Sequence, residues 1–135
     1  MAVDPAIVRE WLAKAEEDFG FALVNLQERK PFAAQICFHF HQAAEKYLKA
    51  YVVAHDLEFR KIHDLLVLLA TCVSHEPAAA STQDACEYLN TFYVETRYPV
   101  HWPTHFTLEE AERAHQAARR IKVWVEERLR SFPAV

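Results

Sequence analysis

The sequence contains one glycine, Gly20, in 135 residues. Hairpin turns and phosphate-cradling loops draw on glycine for backbone angles that other residues avoid. A chain with so little of it has few ways to build a β-sheet fold, and its apolar residues recur at three- and four-residue steps instead. Both observations predict an all-α fold.

The periodicity divides the chain into five segments. Asp4 and Pro5 form an N-cap and first turn, and Ile7, Trp11, Ala15, Phe19, Ala22 and Leu26 mark the apolar stripe of a helix over about residues 5–28. Pro31 opens a second helix with Ile36, Phe40, Ala43, Ala44, Tyr47 and Tyr51 on its apolar side. His41, Glu45 and Lys49 form an i, i+4 ladder on another face of that helix, which reads as charged and solvated.

His63 and Asp64 lead into a third, strongly apolar helix that Pro77 closes. Ser81 reads as the cap of a fourth helix, with Ala85, Leu89, Phe92 and Thr96 on one stripe and Asn90, Tyr93 and Arg97 on another. Pro99 ends it, because proline disfavours α geometry in the residue before it. Thr107–Glu110 is a capping box for a last long helix with Ala111, Ala114, Ala118, Ile121, Val125 and Leu129 facing the core. The expected architecture is a single domain over 1–135, an up-and-down helical bundle of four to five antiparallel helices.

A formal charge of -4 excludes a whole-protein field attractive to nucleic acid, so any RNA contact is local. Cys37, Cys72 and Cys86 are odd in number and lack CxxC spacing, which predicts buried, reduced thiols. The start carries charge at once and no apolar run is long enough to span a bilayer, so the expected location is cytoplasmic, with no membrane partner.

Four groups of residues have functional readings beside plainer ones. Lys46 and Lys49 could meet a phosphate as point charges or lie on a solvated face. His63 and Asp64 belong either to a site or to a helix cap. In "ETRYPVHWPTHF", Arg97 is suited to a phosphate or carboxylate, and His101 and His105 are the nearest histidines for metal-independent RNA cleavage. Pro103 between those histidines spoils the helical geometry that would aim both at one metal ion, so no metal is expected. Lastly, Arg113, Arg119, Arg120, Lys122, Arg128 and Arg130 give the final helix a basic bias, read as a solvated face or a nucleic-acid patch.

The stretch "CFHFHQAAEKYLKAYVV", followed by "HDL" and "RYP" between long flanking helices, resembles the HEPN domain (higher eukaryotes and prokaryotes nucleotide-binding). Trp11, Ala15 and Asp18-Phe19 in the opening helix and "EEAERAHQAARRIKVWV" in the last extend the likeness over nearly the whole chain. The resemblance implies a bundle similar to the C-terminal domain of kanamycin nucleotidyltransferase, usually a homodimer. It also implies a partner, a minimal nucleotidyltransferase encoded beside it in a toxin-antitoxin-like pair. Binding of a nucleotide or of that partner would involve Lys46, Lys49, His63, Asp64, Arg97 and Tyr98, with no cofactor.

Active members of the wider superfamily are metal-independent ribonucleases with an arginine and a histidine at a set spacing across a dimer. Three residues separate Arg97 from His101 and seven separate it from His105; the first gap is too short for that pattern and the second too long. Binding is therefore the expected activity, with RNA cleavage by Arg97 and His101 or His105 the alternative.

Overall fold

The computed structural model describes residues 3–97 and 106–130, with side chains described for 3–93 and 106–130. Its helices are α1 (Pro5–Gln27), α2 (Ala33–Ala54), α3 (Leu65–His75), a 3-10 turn (Pro77–Thr82), α4 (Gln83–Arg97) and α5 (Leu108–Leu129). No strand occurs among the described residues. None of the described helices is long and apolar enough to cross a membrane.

The helix starts follow local chemistry. The Asp4 carboxylate accepts the Ala6 N–H at 2.9 Å, and the Asp64 carboxylate accepts from Leu66 at 2.9 Å and Val67 at 3.4 Å. At α5 the capping box is complete: Thr107 Oγ1 accepts the Glu110 N–H at 3.1 Å, and Glu110 Oε1 accepts the Thr107 N–H at 2.9 Å. Ser81 is not a cap. It lies inside the 3-10 turn, which runs into α4 through Gln83 at helical angles, so there is no extended residue to serve as one. Its carbonyl instead accepts from Arg120 Nη2 at 2.6 Å.

α2 is the axis of the bundle and packs against all four other α-helices. Phe40, Tyr47 and Tyr51 on it are fully buried, and each such side chain contributes about 1.5–3 kcal/mol through apolar area removed from water. α1 runs antiparallel to α2, because Phe21 meets His39 while Trp11 meets the Lys49 ammonium. α5 runs in the same direction as α2, with His115 beside Phe40 and Trp124 beside Tyr51. It lies antiparallel to α4, where Asp84 pairs with Arg120 and Tyr88 donates to the Glu110 carbonyl.

The α5 stripe is buried as its periodicity requires. On α1 the stripe holds from Trp11 to Leu26 and only its first position differs, since Val8 is 2% exposed and Ile7 47%. A step of three from Val8 to Trp11 and four to Ala15 keeps those residues on one side of a helix. Cys37, Cys72 and Cys86 are free and buried, and burial pushes each thiol up to about 12.

One connection breaks strict alternation. After α2 the chain turns at Asp56, whose φ of 53° lies in the left-handed region that aspartate tolerates. Leu57 N–H then bonds back to the Val52 carbonyl at 2.9 Å. Residues 57–64 form no regular structure and return along α2, passing Lys49 at Phe59 and reaching Glu45 and His41 at His63. The chain is thereby carried back along α2, and α3 runs in the same direction as α2.

Candidate functional site

This returning strap changes the character of the polar ladder on α2. His41, Glu45 and Lys49 are only 0%, 3% and 5% exposed, so the face read as solvated is an internal column. Each of its members must then be paired, because an isolated charge in such a place would be strongly unfavourable. Lys49 Nζ donates to Glu45 Oε2 at 2.9 Å. The ammonium also lies 5.6 Å from the Trp11 ring and 5.7 Å from the Phe59 ring, within the range of a cation–π attraction.

The other oxygen of Glu45, Oε1, lies 2.9 Å from Nδ1 of His63. A carboxylate only accepts, so Nδ1 carries the proton in this contact. His41 Nε2 donates to the His63 carbonyl at 3.1 Å. His63 is thus held by its backbone and by its ring, both from α2.

The third support comes from α4. Asn90 accepts the Leu65 N–H at 2.9 Å and donates to the Asp64 carboxylate at 3.1 Å, which fixes the start of α3. One turn on, the Tyr93 ring stacks at 4.9 Å on His63 and at 5.4 Å on His41. Lys61, Ile62, His63, Asp64, Asn90 and Tyr93 line a groove of about 460 Å³. The His63 ring is 44% exposed there, and its Nε2 has no hydrogen-bond partner among the described residues.

Of the residues singled out by sequence, His63 and Asp64 meet at this groove, with Arg97 one turn beyond Tyr93 at the end of α4. The Arg97 side chain, Tyr98, His101 and His105 lie outside the described residues. Lys46 is elsewhere: it pairs with Asp18 of α1, whose carboxylate also lies 3.1 Å from His39 Nδ1. Lys49 lies under the strap as the counter-ion of Glu45 rather than on a surface. Asp64 is engaged as the cap of α3 and by Asn90.

The basic residues of α5 do not form one patch. Lys122 pairs with Glu16 and Glu126, Arg128 with Glu76 and Arg120 with Asp84, and Arg113 lies over the Tyr88 ring. Among the described residues no group of three side chains is placed to hold a metal ion.

Glu45 is the buried charged residue beside the groove that periodicity misplaced. A signal was present in the sequence. A second polar stripe, Gln35, His39, Gln42 and Lys46, already supplies a wetter face for the helix, and these four are partly or fully exposed while 41, 45 and 49 are buried.

Burial holds the His41 imidazole below its ordinary value, against the opposing pull of Gln42, Glu45 and the His63 carbonyl. A histidine with a depressed folded value binds fewer protons folded than unfolded, so stability falls once pH drops below its unfolded value, about 6.5. His115 and His55 are lowered by burial in the same sense. Urea melts from pH 8 to pH 5 are expected to show stability lost below about pH 6.5. The loss should be shallower in His41→Asn, and a slope unchanged by that substitution would assign the loss to the other two.

The molecule so described is a small all-α bundle with a charged column inside it and a polar groove where the strap meets α3 and α4. The HEPN domain pattern matches residues 8–128. The protein TT1696 from Thermus thermophilus is 31% identical, over 90% of this chain and 98% of its own, with a TM-score of 0.80. ST0689, an archaeal HEPN homologue, is 25% identical over 90% and 97%, with a TM-score of 0.73. No curated protein matches. The chain belongs to the HEPN domain family.

Proposed function

We propose that this HEPN protein is a non-catalytic binding module, a homodimer that takes a phosphate-bearing ligand such as a nucleotide, or a minimal nucleotidyltransferase partner, in a two-gene system. The ligand would enter the groove beside His63, toward the end of the helix that carries Arg97. The observation that carries this reading is the convergence of Lys61, His63 and the stacked Tyr93 ring at the end of α4 that bears Arg97. Lys61 has no ion pair among the described residues, and an exposed ammonium beside an aromatic ring suits a nucleotide's phosphate and base together.

Calorimetric titration with nucleoside mono- and triphosphates tests it. Arg97→Ala and Lys61→Ala should each weaken binding by roughly ten-fold or more, the equivalent of one hydrogen bond to a charged group. Absence of binding by any nucleotide and by a co-expressed nucleotidyltransferase would end this reading. Cleavage of an RNA pool that disappears in Arg97→Ala would replace it with the ribonuclease alternative through His101 or His105.

A further inference from the structure

We propose that His63 is a phosphoryl-accepting nucleophile that takes a phosphoryl group onto Nε2 from a small activated donor such as an acyl phosphate, with Glu45 as its positioning residue. The proposal rests on the groove being a phosphate site, and adds a covalent step there.

The ring is oriented for that step. Glu45, buried and ion-paired to Lys49, engages Nδ1 at 2.9 Å, so in the neutral ring the lone pair is on Nε2. Stacking on Tyr93 and the bond from His41 to the His63 carbonyl fix the ring's plane and its backbone. The buried carboxylate can also balance the positive charge that the ring acquires when Nε2 is substituted.

The groove's lining selects among the reactions open to such an imidazole. Among its described residues the only hydroxyl is that of Tyr93, whose ring lies flat on His63, so no serine or threonine there could be activated by His63 as a base. Acyl transfer would need free donors for an oxyanion. The one side-chain amide among the same residues, Asn90, is already engaged with Leu65 and Asp64. The exposed Lys61 ammonium, by contrast, suits the charge on a phosphoryl group.

In the step itself the Nε2 lone pair forms a bond to phosphorus. The bond from phosphorus to the carboxylate oxygen of the donor breaks, and its electron pair leaves with the carboxylate. Nδ1 keeps its proton, held by Glu45, and nothing is oxidised or reduced.

His39 provides an internal comparison. It too has Nδ1 beside a carboxylate, Asp18 at 3.1 Å, and is partly exposed at 33%, but it does not line this groove. The full chain is incubated with acetyl phosphate, and in a separate arm with ATP, then mapped by mass spectrometry under alkaline conditions that preserve phosphohistidine. The expected result is a single acid-labile phosphoryl group on His63 from acetyl phosphate, absent in His63→Ala and present in His39→Ala. Labelling by ATP alone would overturn the assignment of the donor.

Glu45→Gln combined with Lys49→Met removes both buried charges at once. Labelling of that folded variant should slow by roughly ten-fold, because the amide keeps an acceptor for Nδ1 but not the negative charge that balances the substituted ring. Equal labelling of His39 and His63, or no labelling of folded protein that still binds nucleotide in the calorimeter, would overturn phosphoryl transfer and leave the binding function intact. Absence of nucleotide binding together with absence of labelling would remove both.

Discussion

Glu45→Ala is expected to lower stability by about 3–5 kcal/mol, a drop in melting temperature of roughly 10–20 °C for a chain of this size. The effect follows from what the substitution leaves behind. Lys49 is 6% exposed at its side chain and its ion-pair partner is Glu45, so alanine strands an ammonium under the Trp11 and Phe59 rings. It also removes the acceptor for His63 and loosens the strap at the entrance to α3. Glu45→Gln with Lys49→Met, which removes both charges and keeps an acceptor for His63, is expected within about 1.5 kcal/mol of the parent. A pair of variants with equal losses would show that the column is held by packing and not by charge. Thermal melts of the two variants beside the parent make the comparison.

The second large effect is expected at the centre of the bundle. Phe40 is fully buried on α2, with Phe19 edge-on at 5.5 Å and the His115 ring at 5.4 Å. These neighbours come from α1 and α5, so truncation opens a cavity where three helices meet. Phe40→Ala should lose about 3–5 kcal/mol, the transfer of the ring and the cavity it leaves both contributing. Phe32, of the same residue type but 52% exposed, should change stability by less than about 0.5 kcal/mol on the same substitution. Urea midpoints with unchanged slopes would establish the contrast. Comparable losses at the two positions would mean that Phe32 is covered in solution.

How much of this was legible beforehand differs from element to element. The α5 start and stripe were visible from Thr107, Glu110 and the alanine spacing, because a capping box and an amphipathic period are properties of neighbours in sequence. The α1 stripe was legible from Trp11 to Leu26 but misplaced at its first position, because Ile7 and Val8 are equally apolar and only packing chooses between them. Ser81 has the chemistry of a cap, but Pro77 starts a turn that passes straight into α4. At the site, His63, Asp64, Asn90 and Tyr93 were marked individually. Their meeting at one groove depends on the strap's path, and no period in the sequence encodes that path.

By itself the sequence determined the all-α class, the helix starts at Asp4, Asp64 and Thr107, the buried free cysteines and the resemblance to the HEPN family. These depend on local spacing, on capping chemistry and on the near absence of glycine, all of which act between residues close along the chain. Only the tertiary structure decided that His41, Glu45 and Lys49 form an internal column and that His63 is aimed by Glu45. A polar i, i+4 ladder is a wet surface or a buried network according to what lies over it. Here the cover comes from Trp11, Phe59, His63 and Tyr93, which converge on α2 from different parts of the chain.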